Sequence, residues 1–261
     1  MPNHLANKIV LITGAAGGFG QALAWAFLEE GAHLALLDSN ACALERLAAT
    51  LRAQGAQVQA TVADLSTMRG VQEGINTVLA PFQGQVDVFV GNVGVLVAGA
   101  FEQITEEQIA SAFTMNFLTH VWACREMVPR MTGRVGANIV LIGSDQGHQP
   151  DAGLFPYASA KAALHSFAKI LAREYGPAIR VNVVAPGMSR TRMVETLMEQ
   201  VAMEFHTDRA SAEHLELQRR GVPLRRLGEP EEIAEAAVFL ARNLFCTGST
   251  LDISGGNGRG L

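Results

Sequence analysis

Short apolar runs alternate with longer segments of helical spacing along the whole chain, and this alternation predicts the fold. KIVLIT (8–13) reads as a first strand, followed by a glycine-rich turn and the helical stretch QALAWAFLEEG. HLALLD (33–38) is a second strand, ALERLAATLRAQG a helix ended by Gly55, and QVQATVAD a third strand. VQEGINTVLAPF is helical and VDVFVGN (86–92) is a fourth strand. From about residue 105 to 131 the spacing predicts one long helix, with Thr105 and Gln108 at capping-box separation. ANIVLIG (137–143) is strand five, 156–175 a helix with Pro156 near its first turn, and IRVNVVAPG (179–187) strand six. Residues 188–222 are helical with an irregular pattern, EPEEIAEAAVFLA (229–241) is a helix, and TLDIS (250–254) is the last strand. Nearly all-apolar strands separated by helices imply a parallel sheet covered on both faces. The expectation is an α/β fold: one domain over 1–261, with a doubly wound parallel sheet of about seven strands.

Composition narrows the classes. A chain of 261 residues with 49% hydrophobic content can bury one large core, and 17% charged residues argue against disorder. The net charge of −5, with no long Lys/Arg cluster, argues against a nucleic-acid partner. Cys42, Cys124 and Cys246 are far apart and suggest no disulfide framework, which fits a reducing cytoplasm. Neither they nor the seven histidines show ligand spacing, so no metal is expected. MPNHLANK lacks the apolar core of a signal peptide, and no run of about 18 apolar residues predicts a membrane span.

TGAAGGFG (13–20) lies between the first strand and the first helix. Gly14, Gly18 and Gly20 allow a tight turn and a close approach of backbone N–H groups to a phosphate, which the helix dipole also favours. The spacing is G-x-x-x-G-x-G, which alone also fits a simple packing turn. Asp38 ends the second strand, 18 residues beyond Gly20. A carboxylate there accepts hydrogen bonds from both hydroxyls of an adenosine ribose and repels a 2′-phosphate. Ala15, Ala16 and Ser39 offer no positive charge, so NAD is favoured over NADP; the alternative is that Asp38 only caps the next helix. Asp64 in VADLS also ends a strand and suits a helix cap, an adenine contact, or both.

In YASAK (157–161), Tyr157 and Lys161 are four apart and share a helix face. A free phenol, with a pKa of about 10, is a poor base at neutral pH. A nearby ammonium favours the phenolate, and a lowered pKa makes a tyrosine a usable acid–base for an alcohol or ketone. The pair alone also occurs on ordinary helices.

Taken together and in order, TGAAGGFG, Asp64, GNVG (91–94), Asn116 in TMNF, Ser144 in IGSDQG, YASAK, VAPG (184–187) and GSTLDISGG resemble the short-chain dehydrogenase/reductase family across nearly the whole chain. The resemblance implies a Rossmann-type fold, a homotetramer, and a catalytic set of Asn116, Ser144, Tyr157 and Lys161. Tyr157 would transfer the proton, Ser144 hold the substrate oxygen, Lys161 bind the nicotinamide ribose, and Asn116 hold a relaying water. Phe19, Leu65, Asn92, Pro186, Gly187 and Thr191 would join Gly14, Gly18, Gly20, Asp38 and Asp64 along the cofactor. Where the family usually has N-N-A-G this chain has Gly91-Asn92-Val93-Gly94, and only the second of two frequent serines is present, as Ser144.

The loop DQGHQPDAGLFP (145–156) is rich in polar residues and borders the substrate side in this reading, which nominates Gln146 and His148 beside Ser144. The segment 188–222 is a candidate lid, with Met193, Leu197, Val201 and Phe205 on one stripe and Met198 beside it; Met188 and Met193 are the substrate-facing candidates. The function read from these residues is NAD-dependent interconversion of a small secondary alcohol and a ketone. An NADPH-dependent 3-oxoacyl-[acyl-carrier-protein] reductase and a non-catalytic NADH sensor remain open beside it.

Overall fold

Helices cover both faces of a single parallel sheet, which is why its central strands are largely apolar on both sides. The computed structural model describes residues 5–257; the ends of the expected 1–261 span, with residues 1–4 of MPNHLANK, lie outside the described residues. The strands are β1 (Ile9–Thr13), β2 (His33–Asp38), β3 (Val58–Val62), β4 (Val88–Gly91), β5 (Asn138–Ile142), β6 (Arg180–Pro186) and β7 (Thr250–Ile253). Their order is β3-β2-β1-β4-β5-β6-β7, and every pairing is parallel. The helices are α1 (Gly18–Glu29), α2 (Ala41–Ala53), α3 (Met68–Leu79), α4 (Glu106–Phe113), α5 (Thr119–Met131), α6 (Tyr157–Tyr175), α7 (Arg192–Glu204), α8 (Arg209–Arg220) and α9 (Pro230–Arg242). Alternate residues of one strand enter different cores. Val10 and Ile12 of β1 pack with α1, α2 and α9, whereas Ile9 and Leu11 pack with α3, α5 and α6. The strand order reverses between β1 and β4, and such a reversal opens a crevice at the carboxyl ends of the strands.

Two expectations are corrected. The helix over 105–131 is not one regular element. Thr105 and Gln108 form the expected capping box, but α4 passes through a π-helical turn at Thr114–Leu118 before α5 begins. Thr119 holds this turn, its Oγ1 donating to Leu65 O at 2.8 Å and to Thr114 O at 2.9 Å. The lid segment is two helices rather than one irregular stretch. Thr191 and Asp208 accept capping bonds at their starts, and Gly221 ends α8 at φ 67°. Of the apolar stripe, Val201 and the adjacent Met198 are buried, while Met193 and Phe205 are 38% and 59% exposed.

Arg180 fixes the opposite end of the sheet. Its Nη1 donates to Leu240 O and Asn243 O at 2.8 Å and its Nη2 to Ala241 O at 2.7 Å, satisfying carbonyls that the C-terminus of α9 leaves without N–H partners.

Candidate active site

A cleft of about 400 Å³ runs along the crevice, lined at one end by the glycine turn and Asp38 and at the other by Asn116, Tyr157 and Lys161. The turn follows from the glycines. Gly14 adopts φ +64°, and its carbonyl accepts from Asn92 Nδ2 at 2.9 Å, which ties the end of β4 to the end of β1. A Cβ on Gly20 would collide with Gly14 O and crowd Ala15, so only glycine lets α1 start so close to the turn. A Cβ on Gly18 would fill the gap to Thr191, at 3.3 Å from its Cγ2. The first helical bond of α1 is Gln21 N–H to Gly17 O, so the N–H groups of Gly18, Phe19 and Gly20 precede the ladder at the positive end of the dipole. This cradle fits an anionic group of a dinucleotide.

Asp38 stands at the edge of the same cleft. Its Oδ2 accepts from Ala16 N–H at 2.9 Å and its Oδ1 from Asn40 N–H at 2.8 Å. It is not the cap of α2: Asn40 is, with its Oδ1 accepting from Ala43 N–H at 3.1 Å. Asp64 likewise does not cap α3, a role taken by Thr67. Instead Asp64 Oδ1 accepts from the N–H and Oγ of Ser66, at 2.9 and 2.6 Å, and these bonds hold its carboxyl below the usual carboxylate range. Both Asp64 and Leu65 line the cleft.

At the other end four side chains converge. Lys161, on the first turn of α6, is buried, and its Nζ lies 5.9 Å from the Tyr157 ring centre and donates to Ile142 O at 2.8 Å. Asn116, in the π-helical turn, is fully buried; its Nδ2 donates to Val95 O and Ala112 O at 2.9 Å, and its Oδ1 accepts from Val95 N–H at 3.2 Å. Gly94 lies where the two meet, since a Cβ there would be 2.8 Å from Asn116 Oδ1 and 3.5 Å from Lys161 Nζ. Ser144 follows β5, and its hydroxyl favours the ionised form of Tyr157. Its Oγ also donates to Asp145 Oδ1 at 3.1 Å and accepts from Gln146 N–H at 3.2 Å.

The electrostatics of this end correct one expectation. Lys161 does not pull the phenol of Tyr157 down. Burial pushes Tyr157 up to about 12; the Ser144 hydrogen bond opposes this and the nearby Asp145 carboxylate adds to it. Burial also lowers Lys161 to about 7, and Lys161 is not among the groups that shift the phenol. Beneath it His120 is fully buried and lowered to about 3, by burial and then by Lys161. It is therefore neutral, with Nε2 2.9 Å from Val93 O.

The substrate-side residues divide. Met193 lines the main cleft. Gln146 does not: it is 5% exposed, with Oε1 accepting from Asp151 N–H at 2.7 Å and Nε2 donating to Asp151 Oδ2 at 3.1 Å. His148 and Met188 line a different cavity, of about 610 Å³, and His148 Nε2 is 3.2 Å from Asp252 Oδ1. Of the loop's polar residues Asp145 and Gln146 turn inward, and their buried polar groups are satisfied within the protein. Pro186 ends β6, and Gly187 packs on Ser254, where a Cβ would come within 2.8 Å of Cα; neither lines the cleft. Sequence reasoning missed Gly94 as the meeting point of Asn116 and Lys161, and Asp145 as a buried partner of Ser144. The signal for each was its place inside a motif already singled out, GNVG and IGSDQG. Among the described residues no group of three or more His, Cys, Asp or Glu is placed to hold a metal ion, and no helix is long and apolar enough to cross a membrane.

A doubly wound sheet with this cleft at its switch point defines a dinucleotide-binding α/β protein. The chain belongs to the short chain dehydrogenase family, which it matches over residues 8–202. It is similar to 2,3-dihydro-2,3-dihydroxybenzoate dehydrogenase of Bacillus subtilis (strain 168), with 34% identity over 90% of this chain and 88% of that one. Among solved structures it is similar to L-sorbose reductase of Gluconobacter frateurii complexed with NADPH and L-sorbose, at 29% identity, TM-score 0.94 and full coverage of both chains. It is also similar to a 3-ketoacyl-(acyl-carrier-protein) reductase of Brucella melitensis complexed with NADH, at 29% identity and TM-score 0.84 over 97% of this chain and 99% of that one. Family and neighbours support an oxidoreductase that acts on CH–OH groups with a nicotinamide cofactor.

Proposed function

We propose that this chain interconverts a small secondary alcohol and a ketone, with NAD as the cofactor and Tyr157 as the acid–base. The observation that carries the reading is the convergence of Tyr157, Lys161 and Asn116 at one end of a cleft whose other end is the glycine turn and Asp38, with Ser144 buried behind them and acting on Tyr157. The bound nicotinamide would supply the hydride acceptor or donor. The N–H groups of Gly18 and Phe19 would hold its pyrophosphate, with Asp64 and Leu65 at the adenine. Tyr157 and Lys161 would hold the second ribose, and Thr191 the carboxamide. Asn92 would brace the turn from below, and Gly20, Pro186 and Gly187 would shape the backbone around the cofactor.

Ser144 would donate to the substrate oxygen and steady charge as it develops there. Tyr157 would take the hydroxyl proton in oxidation and return it in reduction. Its high pKa suits the acid role in the chain by itself; charging Lys161 is what would bring the phenol toward neutrality. Asn116 would carry protons onward by placing a water near Lys161. Met193, on α7, would close on the substrate as part of a lid over 188–222.

Preference for NAD is supported by the Asp38 carboxylate facing the cleft, which would accept from ribose hydroxyls and repel a 2′-phosphate. The 3-oxoacyl reductase remains the second reading, because the Brucella melitensis neighbour is a 3-ketoacyl reductase. The test is a screen of polar secondary alcohols with NAD⁺ and of matching ketones with NADH. Turnover of an alcohol with NAD⁺ is expected; turnover confined to NADPH and acyl-carrier-protein thioesters would replace the reading with the second one.

A further inference from the structure

The second helix of the lid segment reaches Ser144 through a buried polar relay. α8 ends on Arg220, which is 7% exposed, and Glu216 one turn earlier is 4% exposed. Arg220 Nε donates to Glu216 Oε1 at 2.7 Å, and Arg220 Nη1 donates to Asp151 Oδ2, 69 residues away in sequence. The same Asp151 oxygen accepts from Gln146 Nε2, while Asp151 N–H donates back to Gln146 Oε1. Gln146 N–H donates to Ser144 Oγ at 3.2 Å. Five residues from two distant segments therefore form one connected chain: Glu216, Arg220, Asp151, Gln146 and Ser144.

A buried ion pair is a poor device for stability alone, because desolvation cancels much of the attraction. What it does supply is geometry. The planar guanidinium directs its donors in fixed directions, here toward Glu216 on its own helix and Asp151 on the loop. Asp151 in turn closes a ring with both polar ends of the Gln146 amide. That ring lies in the loop joining Ser144 to Tyr157, so the docking of α8 and the placement of both side chains are mechanically linked.

Resting on the proposed alcohol–ketone chemistry, we propose that Arg220 is a positioning residue: its contact with Asp151 fixes the loop 145–156 when α8 lies on it, and so sets the Ser144 hydroxyl for the substrate oxygen. No part of this relay touches the glycine turn or Asp38, so the end of the cleft proposed to hold the adenosine is independent of it.

The test compares Arg220→Met, Arg220→Lys and Asp151→Asn with the wild type and with Tyr157→Phe. Arg220→Met is expected to lower kcat/KM for the alcohol by roughly ten- to a hundredfold, the scale of a misplaced reacting group, with NADH affinity within about twofold of wild type. Arg220→Lys, which keeps the charge, should recover part of the loss, and Asp151→Asn should reproduce it if Arg220→Met fails to fold. Amide exchange read over 145–151 and 13–20 should show faster exchange only in the first segment, whether or not an alcohol is turned over. Unchanged kcat and KM with unchanged exchange in 145–151 would overturn the proposal. So would a loss of NADH binding in step with turnover. Activity that survives in Tyr157→Phe would instead overturn the underlying chemistry.

Discussion

Asp38 Oδ2 accepts a hydrogen bond from the backbone N–H of Ala16 at 2.9 Å, so the carboxylate that lines the cleft also braces the glycine turn. Asp38→Asn keeps an acceptor for Ala16 and removes the charge. Its NADH affinity should fall by roughly tenfold, the scale of a lost charged hydrogen bond, while NADPH binds less poorly than before. Asp38→Ala should lose the brace as well and bind both cofactors weakly. Parallel fluorescence titrations with NADH and NADPH read both outcomes; an unchanged ratio in Asp38→Asn would remove Asp38 from cofactor selection.

Gly94 separates Asn116 from Lys161. In Gly94→Ala the new Cβ meets Asn116 Oδ1 at 2.8 Å, closer than real contacts allow, so the amide must move from its bonds to Val95. Turnover should fall by roughly a hundredfold with a smaller effect on the melting temperature, because the glycine lies at the site and outside the strands. Wild-type kcat in this variant would show that the Asn116 position does not matter to the reaction.

Lys161 makes stability pH-dependent. Its pKa falls from 10.5 to about 7 on folding, so between those values the unfolded chain holds a proton that the folded chain has shed. Unfolding then binds protons, and this group's contribution to stability rises with pH across that window. Above pH 10 Tyr157 acts in the opposite sense, because the folded chain keeps the phenol proton up to about 12. Lys161→Met should therefore gain most over wild type below pH 7, with the gain shrinking toward pH 10 in denaturant melts. A gain constant across this range would mean that Lys161 is not buried as a charge.

Arg180 offers a control far from the cleft. Arg180→Met leaves the last carbonyls of α9 without donors and should cost about 2 kcal/mol or more of stability. NADH affinity should not change, since no cleft residue touches it. Urea melts and titrations on the same sample check both parts.

The central strands were legible because burial on both faces leaves an apolar run, as in IVLI of β1 and IVLI of β5, and their alternation with helices sets a parallel sheet. Tyr157 and Lys161 were legible because one helical turn sets their spacing. The π-helical turn at Asn116 was not, since one extra residue in a turn leaves the apolar spacing of 105–131 almost unchanged. That Gln146 and His148 lie away from the main cleft was not legible for a different reason. A polar loop looks the same in sequence whether its side chains face a substrate or one another, and the partners that decide it, Asp151 with Arg220 for one and Asp252 for the other, include residues far along the chain. The two lid helices were readable in principle from Thr191, Asp208 and Gly221, whose capping chemistry marks their ends.

The most direct measurement is turnover of a secondary alcohol with NAD⁺ by wild type and Tyr157→Phe, with NADH affinity measured on both. Phenylalanine keeps the ring and removes only the hydroxyl proposed to exchange the proton. The expected result is loss of turnover with NADH affinity close to wild type. Undiminished turnover in Tyr157→Phe would contradict the assignment of Tyr157 as the acid–base and, with it, the chemistry proposed for this cleft.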